Sequence, residues 1–299
     1  MNKNLTPILF FAYNRPNHAK QTIEALKKNK LAKDSELFIY SDAAKNKNDQ
    51  IKVEKVRNYI NKINGFKKIT VINRKHNWGL ANSIIDGVTH IVNKYGKVIV
   101  LEDDLITSPY FLKYMNKALE MYKKEKNVAS IHGYIYPIKN LPETFFIKGA
   151  DCWGWATWKN KWSVFEKDGK KLLKEIKKRK IQKEIDFNGS YKYTKMLEDQ
   201  IKGKNNSWAI RWYISAFLKD MVTLYPGKSY VQNIGFDSLA SHCKFETDIY
   251  NVKLIDKFRL SKIEAKESVF AKKKIGFYFK TNKKSFYEII ISKIRGMIK

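Results

Sequence analysis

Hydrophobic and polar positions follow two distinct rhythms along the first half of the chain. Pro7 to Tyr13, Glu36 to Asp42, Lys67 to Asn73 and Lys97 to Asp104 contain short apolar runs that read as strands buried on both faces of a sheet. Between them, apolar residues recur at steps of three and four: Ala19, Ile23 and Leu26, then Val53, Val56, Ile60 and Ile63, then Leu80, Ile84, Val88, Ile91 and Tyr95. Such spacing lays one stripe along one side of an α-helix. Strands and helices alternating at these lengths specify right-handed βαβ crossovers and a mostly parallel central sheet flanked by helices, a Rossmann-like α/β fold.

The second half is less regular. Ser108-Pro109 reads as the N-cap and first residue of a helix carrying Leu112, Met115 and Leu119, and Asn127 to Tyr134 reads as a further strand. Asp151 to Trp162 then packs four of the seven tryptophans into twelve residues, a density suited either to a core wedge or to a stacking platform for sugar rings. Phe165 to Glu184 is a lysine-rich helical stretch expected to face solvent. Ser207 to Leu218 reads as a buried helix, and Leu224 to Asp237 as a strand and loop leading to Ser241-His242-Cys243. Phe270 to Lys299 holds nine Lys and Arg against one acid, interleaved with aromatics and isoleucines, the make-up of a surface element that dips into anionic headgroups.

Composition narrows the classes. A chain of 299 residues with 43% hydrophobic content supports one large core, and a formal net charge of +30 implies an anionic partner: nucleic acid, an acidic membrane surface or a phosphorylated substrate. The basic residues are spread along the chain and no nucleic-acid module is visible, so a nucleic-acid-binding protein is the weaker reading. Cys152 and Cys243 are far apart, which supports neither a disulfide framework nor a zinc site and fits a reducing cytoplasm. No run suits a signal peptide or a spanning helix, so the expectation is a cytoplasmic protein, peripheral on the inner face of the membrane through its basic tail.

The candidate chemistry lies where the strands end. Glu102, Asp103 and Asp104 stand together after the fourth strand, and carboxylates so close are most simply neutralised by a divalent cation. Equivalent positions carry Ala12, Asn14 and Arg15 after the first strand, Asp42 after the second, and Arg74, Asn77 and Gly79 after the third. One sheet edge furnished in this way can hold a nucleotide diphosphate, with an acid on uracil or ribose, cations on phosphate and a metal bridging phosphate to carboxylate. Taken alone, Asp42 reads equally as a turn or helix cap. No GxGxxG or P-loop pattern occurs. A nucleotidyltransferase of similar fold is a rival, but such enzymes want a glycine-rich loop after the first strand, where this chain has Ala12-Tyr13-Asn14-Arg15.

The segments FFAYNRP, RKHNWGLANSI, VLEDDL, CWGWATW and GFDSLASH, in that order, resemble the nucleotide-sugar glycosyltransferases of GT-A fold that build bacterial surface polysaccharides, the glycosyltransferase family 2 type. More distantly they are similar to N-acetylglucosaminyltransferase I. The resemblance implies a GT-A catalytic domain over 1–243, with a nucleotide-sugar half at 1–105 and an acceptor half at 106–243, and a basic, partly helical extension at 244–299. It implies Mn²⁺ or Mg²⁺ as cofactor, a UDP-sugar by preference as donor, and a glycan or lipid-linked glycan as acceptor. By the same resemblance Asp104 is the direct metal ligand with His242 near the metal or diphosphate, Asp103 meets ribose or the metal's waters, and Glu102 supports sugar or base. Trp153, Trp155 and Trp158 would wall the sugar subsites, and Arg211 would face a phosphate or sit in an ion pair. Related enzymes place the acceptor base just before a tryptophan. Here Asn206-Ser207 precede Trp208, so the base falls to Asp199, with Glu198 as alternate.

Overall fold

The computed structural model describes residues 5–236 and 248–282. β1 (Ile8–Ala12) is buried along its whole length, and α1 (Pro16–Lys27) begins on Pro16, whose missing N–H costs nothing in a first turn. β2 (Glu36–Ser41), α2 (Lys47–Ile60), β3 (Lys68–Asn73), α3 (Gly79–Tyr95) and β4 (Lys97–Glu102) continue the expected alternation. β1 sends Ile8 and Phe10 into a layer shared with Ile23 of α1 and Val56 of α2, and Leu9 and Phe11 into the opposite layer with Ile84 and Val88 of α3. Burial on both faces is why the strand reads as unbroken apolar sequence.

After β4 the chain departs from the expected course. Leu105–Thr107 forms β5, and α4 starts at Phe111 and runs to Tyr122, with Tyr110 rather than Ser108 at the N-cap. The Ser108 hydroxyl accepts from the Tyr110 amide at 3.2 Å, as a cap would, and also donates to the Ile255 carbonyl at 2.7 Å, while Ser108 and Pro109 form the turn that leads into the helix. β6 (Val128–His132), β7 (Thr144–Lys148) and β8 (Trp155–Trp158) follow, then α5 (Lys159–Trp162), α6 (Gly169–Arg179), α7 (Gln182–Ile185) and α8 (Tyr193–Ile201). α6 is amphipathic and not wholly solvated: Leu172 and Ile176 are buried. α9 (Trp208–Leu218) is almost entirely buried and capped by Ser207, whose hydroxyl accepts from the Ile210 amide at 3.2 Å. β9 (Val222–Pro226), β10 (Val231–Asn233) and α10 (Val269–Thr281) complete the described elements.

Eight of these strands form one sheet in the order β3-β2-β1-β4-β8-β6-β9-β7, and β10 pairs with β5 in a separate antiparallel ribbon. β1, β2, β3 and β4 are mutually parallel, β6 and β9 run with them, and β8 and β7 are reversed. The mostly parallel α/β architecture is therefore as the periodicity predicts. Strand order reverses between β1 and β4, so the crevice at their carboxyl ends is the topological switch point, where ligands bind in open sheets. Past β10, residues 251–268 form a strap over the body, tied by the Tyr230 hydroxyl to the Arg259 carbonyl at 2.9 Å and by the Ile263 amide to the Tyr122 hydroxyl at 3.0 Å.

Candidate active site

The turn between β4 and β5 presents Asp103 and Asp104 at the switch point, and Arg15, three residues past the end of β1 and just before α1, reaches both. One guanidinium nitrogen donates to Asp103 Oδ1 and, at 3.0 Å, to Asp104 Oδ2. The Asp103 side chain is 6% exposed and that of Asp104 15%, so Asp104 is the member turned further toward solvent. Burial pushes the Asp103 carboxyl up; Arg15 opposes the rise and the Asp104 charge adds to it. Burial likewise works against the Arg15 charge, yet Asp104 and Asp103 outweigh it and hold the guanidinium above its ordinary value.

The backbone here is tightly fixed. The Asp103 carbonyl accepts from the Thr22 hydroxyl at 2.8 Å, and the Asp104 carbonyl from the Ile234 amide at 2.8 Å. A Cβ at Gly235 would collide with the Asp104 carboxylate, so a larger residue there would have to displace that side chain.

A second constellation forms between β2 and α3. Asp42 Oδ1 accepts from the amides of Ala43 and Trp78, each at 2.9 Å, and Oδ2 accepts from the Gly79 amide at 2.8 Å and the Asn77 side chain at 3.3 Å. Its carboxylate therefore caps α3 from another strand, and Gly79 has the left-handed φ of 70° that presents its amide. Arg74 pairs with Asp86 and lies over the rings of Trp78 and Tyr40, 3.8 and 4.9 Å from their centroids. Asn14 donates to Asp49 at 2.8 Å, beside the Tyr13 hydroxyl, which donates to the same carboxylate at 2.9 Å. Ala12 is buried at the end of β1, and Glu102 ends β4 directly across from Phe11. The expected donor residues thus gather along one edge in two groups, Arg15 with Asp103 and Asp104, and Asp42 with Asn77 and Gly79. Asn14 and Arg74 are engaged by other acids.

The expected acceptor residues are more scattered. Asp199 and Glu198 lie on α8, where the Asp199 carboxylate is 10% exposed and pairs with Lys195 one turn earlier. Asn206, before Trp208, is exposed. His242 lies outside the described residues. Trp155 and Trp158 are not subsite walls: both belong to β8 and are buried, Trp155 stacking on Trp208 and contacting Trp162 and Trp212. Trp153 alone of the three is partly exposed, its ring packed against Tyr134, Phe236 and Tyr250. Arg211 forms no ion pair among the described residues; it donates to the Ser207 and Lys167 carbonyls at 3.2 and 3.1 Å and lines a groove of about 750 Å³ with Trp78, Asn82, Asp86 and His90. Sequence reasoning missed Asp151, which directly precedes the CWGW segment, and the buried His132 behind it, with Nε2 3.7 Å from Asp151 Oδ2.

Residues 8–188 match the model of glycosyl transferase family 2. The chain belongs to that family. As a family 2 glycosyltransferase it carries the Asp103-Asp104 turn and the Asp42 constellation inside the matched span. Curated proteins compared by sequence give no match. Among solved structures the chain is similar to TarS 1–349 of S. aureus, at 13% identity and a TM-score of 0.41, over 76% of this chain and 59% of that one. It is also similar to the mannosyltransferase PcManGT of Pyrobaculum calidifontis in complex with GDP-Man and Mn²⁺, at 11% identity and 0.33, over 45% of this chain and 39% of that one. A UDP-glucose pyrophosphorylase complexed with UDP-glucose aligns at 12% identity and 0.38, over 77% of this chain and 94% of that one. The chain therefore spans little more than half the length of the first of these. No helix among the described residues of this glycosyltransferase is long and apolar enough to cross a membrane.

Proposed function

We propose that this glycosyltransferase moves a sugar from a nucleotide-diphosphate donor, a UDP-sugar by preference, to a glycan or glycolipid acceptor of the cell surface, with inversion at the anomeric carbon. The observation that carries the reading is the joining of Arg15 to Asp103 and Asp104 at the switch point, beside the Asp42 cradle. The rival nucleotidyltransferase reading loses ground because the loop after β1 presents Arg15 where backbone amides of a glycine-rich loop would meet phosphates.

Mn²⁺ or Mg²⁺ fits this donor set. No group of three or more His, Cys, Asp or Glu side chains that would hold a metal occurs among the described residues. Two carboxylates whose counter-charge is an arginine suit a hard cation that keeps waters and takes its remaining ligands from substrate phosphates. Asp104 would hold it, with Asp103 behind and His242 as a further donor; bound there, it would supply positive charge to the departing diphosphate. Arg15, freed from Asp104, would turn to a phosphate oxygen. Asp42 and Asn77 would orient the base and ribose at the entrance to α3, and a carboxylate of the chain would take the acceptor proton as the hydroxyl attacks opposite the leaving group.

Nucleotide release from a panel of UDP- and GDP-sugars, with Mn²⁺ and with EDTA, tests the proposal. Metal-dependent release from one donor is expected. A folded chain that neither binds nor turns over any nucleotide sugar, or one fully active in EDTA, would overturn it.

A further inference from the structure

We propose that Asp151 is the carboxylate that takes the proton from the acceptor hydroxyl, with the buried His132 as its positioning residue, in an acceptor site walled by Tyr225 and Trp153. The inference rests on the transferase reading above and adds the group that sequence placed elsewhere.

Topology puts Asp151 at the right edge. β8 runs antiparallel to β4 with Val100 opposite Trp155, so the residues entering β8 lie across the carboxyl end of β4, where Asp103 and Asp104 stand. Side-chain contacts trace the same path. A Cβ at Gly154 would run into Val231 and reach Leu101, and the Trp153 ring is 5.6 Å from that of Phe236, the neighbour of Gly235, which lies against Asp104. His132 ends β6 and Tyr225 lies near the end of β9, two strands that run parallel, so all three groups meet at this edge.

The carboxylate is held but not enclosed. Oδ1 accepts from the Cys152 amide at 2.8 Å, Oδ2 accepts from the Tyr225 hydroxyl at 3.2 Å, and the side chain remains 29% exposed. Lone pairs are left for a substrate proton. Burial pushes the hydroxyls of Tyr191, Tyr193 and Tyr225 up, and the Asp151 charge is the next contribution in each. Trp153, which is partly exposed, and Tyr225, whose hydroxyl donates to Asp151, set aromatic faces beside the carboxylate, and such faces stack on the C–H faces of a sugar.

His132 supplies an independent observation. It is fully buried, and neither ring nitrogen has a hydrogen-bond partner among the described residues. An orphaned polar group of this kind calls for an explanation. Burial lowers its pKa and so keeps the imidazole neutral. A neutral ring whose Nε2 faces Asp151 Oδ2 at 3.7 Å becomes a donor once substrate tightens the site, as catalytic hydrogen bonds commonly do. Asp199 is the poorer candidate, because its carboxylate is tied to Lys195 on α8.

The step balances. Asp151 takes the acceptor proton, the hydroxyl oxygen bonds to the anomeric carbon, and the bond from that carbon to the diphosphate breaks with its electron pair leaving on phosphate. The proton then passes from Asp151 to solvent.

The test uses the full chain with Mn²⁺, the UDP- and GDP-sugar panel as donors and p-nitrophenyl glycosides as acceptors, with UDP binding measured by calorimetry. For Asp151→Asn, kcat for transfer is expected to fall about 10²- to 10⁴-fold with UDP affinity within about twofold of wild type, while Asp199→Asn keeps most of its activity. His132→Phe is expected to lower kcat in the wild-type background and to have no further effect on Asp151→Asn, a non-additivity that a purely structural role would not give. Transfer by Asp151→Asn within about threefold of wild type, or collapse of Asp199→Asn alone, overturns the assignment. Equal losses from His132→Phe in both backgrounds remove the positioning role. A wild-type chain that binds no nucleotide and releases none removes the transferase reading and this one with it.

Discussion

Arg15 and Asp104 meet through a 3.0 Å hydrogen bond between segments that leave the sheet from adjacent parallel strands. The guanidinium occupies the charge-neutralising position between two carboxylates that a divalent cation would also take. A cation held there, as proposed, would compete with the arginine for Asp104.

Replacing Arg15 by Gln removes that competitor while keeping a hydrogen-bonding side chain. The variant is expected to bind Mn²⁺ more tightly than wild type without nucleotide, by roughly tenfold if about 1.4 kcal/mol of repulsion is relieved. Turnover should fall, because the phosphate loses a cation. Titration of Mn²⁺ by electron paramagnetic resonance checks the first point, and unchanged or weaker metal binding would contradict it.

Asp42 is the second pressure point. Its two oxygens accept from three backbone amides and one side-chain amide, so Asp42→Ala leaves the start of α3 without its cap. A loss of about 1 to 2 kcal/mol in unfolding free energy is expected, with weaker UDP binding as the loop from Asn77 to Gly79 loosens. Chemical denaturation and calorimetry measure the two effects. A variant as stable as wild type would show that the capping geometry contributes nothing.

The edge was legible in part. The apolar runs of β1 and β4 and the carboxylates after β4 gave the parallel half and the Asp103-Asp104 turn, because burial on both faces writes itself as continuous hydrophobicity. β8 was not legible, because Trp155-Ala156-Thr157-Trp158 reads as an aromatic motif before it reads as a strand. Without β8 nothing linked Asp151 to β4. The ties of Asn14 to Asp49 and of Asp42 to α3 were equally hidden, since each spans about thirty-five residues that no local pattern joins.

The buried His132 makes a prediction about acid stability. Burial lowers its pKa below the ordinary 6.5, so the unfolded chain binds this proton more tightly than the folded one. The stabilising contribution is complete above that ordinary value and is lost as pH falls from it toward the lowered folded value, by up to about 1.4 kcal/mol per pH unit. His132→Phe should flatten this part of the profile. Denaturant melts at several pH values between about 7 and 5 decide it, and an identical slope in the variant would exclude His132 as the source.

The last prediction concerns α10. Ala271, Ile275 and Phe279 pack inward, while Phe270 and Phe277 stand 52% and 68% exposed beside Lys273 and Lys274. That outer face is what the expected contact with an anionic membrane would use; the residues beyond 282 on which the expectation also drew lie outside the described residues. Phe270→Ser with Phe277→Ser should weaken co-sedimentation with phosphatidylserine vesicles several-fold and leave transfer to a water-soluble acceptor unchanged. Equal binding by variant and wild type would remove these side chains from any membrane role.

The ribbon of β5 and β10 ties the Asp103-Asp104 turn to a strand made far later in synthesis, with Ile106 opposite Gln232 and the Asp104 carbonyl on the Ile234 amide. During translation β1 to β4 emerge first, yet the carboxylate turn that follows them stays unlatched until β10 has cleared the ribosome and docked. A nascent or prematurely ended chain would then possess the four parallel strands β1 to β4 and none of the locked turn, which delays assembly of the Asp103-Asp104 site until the later strands are also in place.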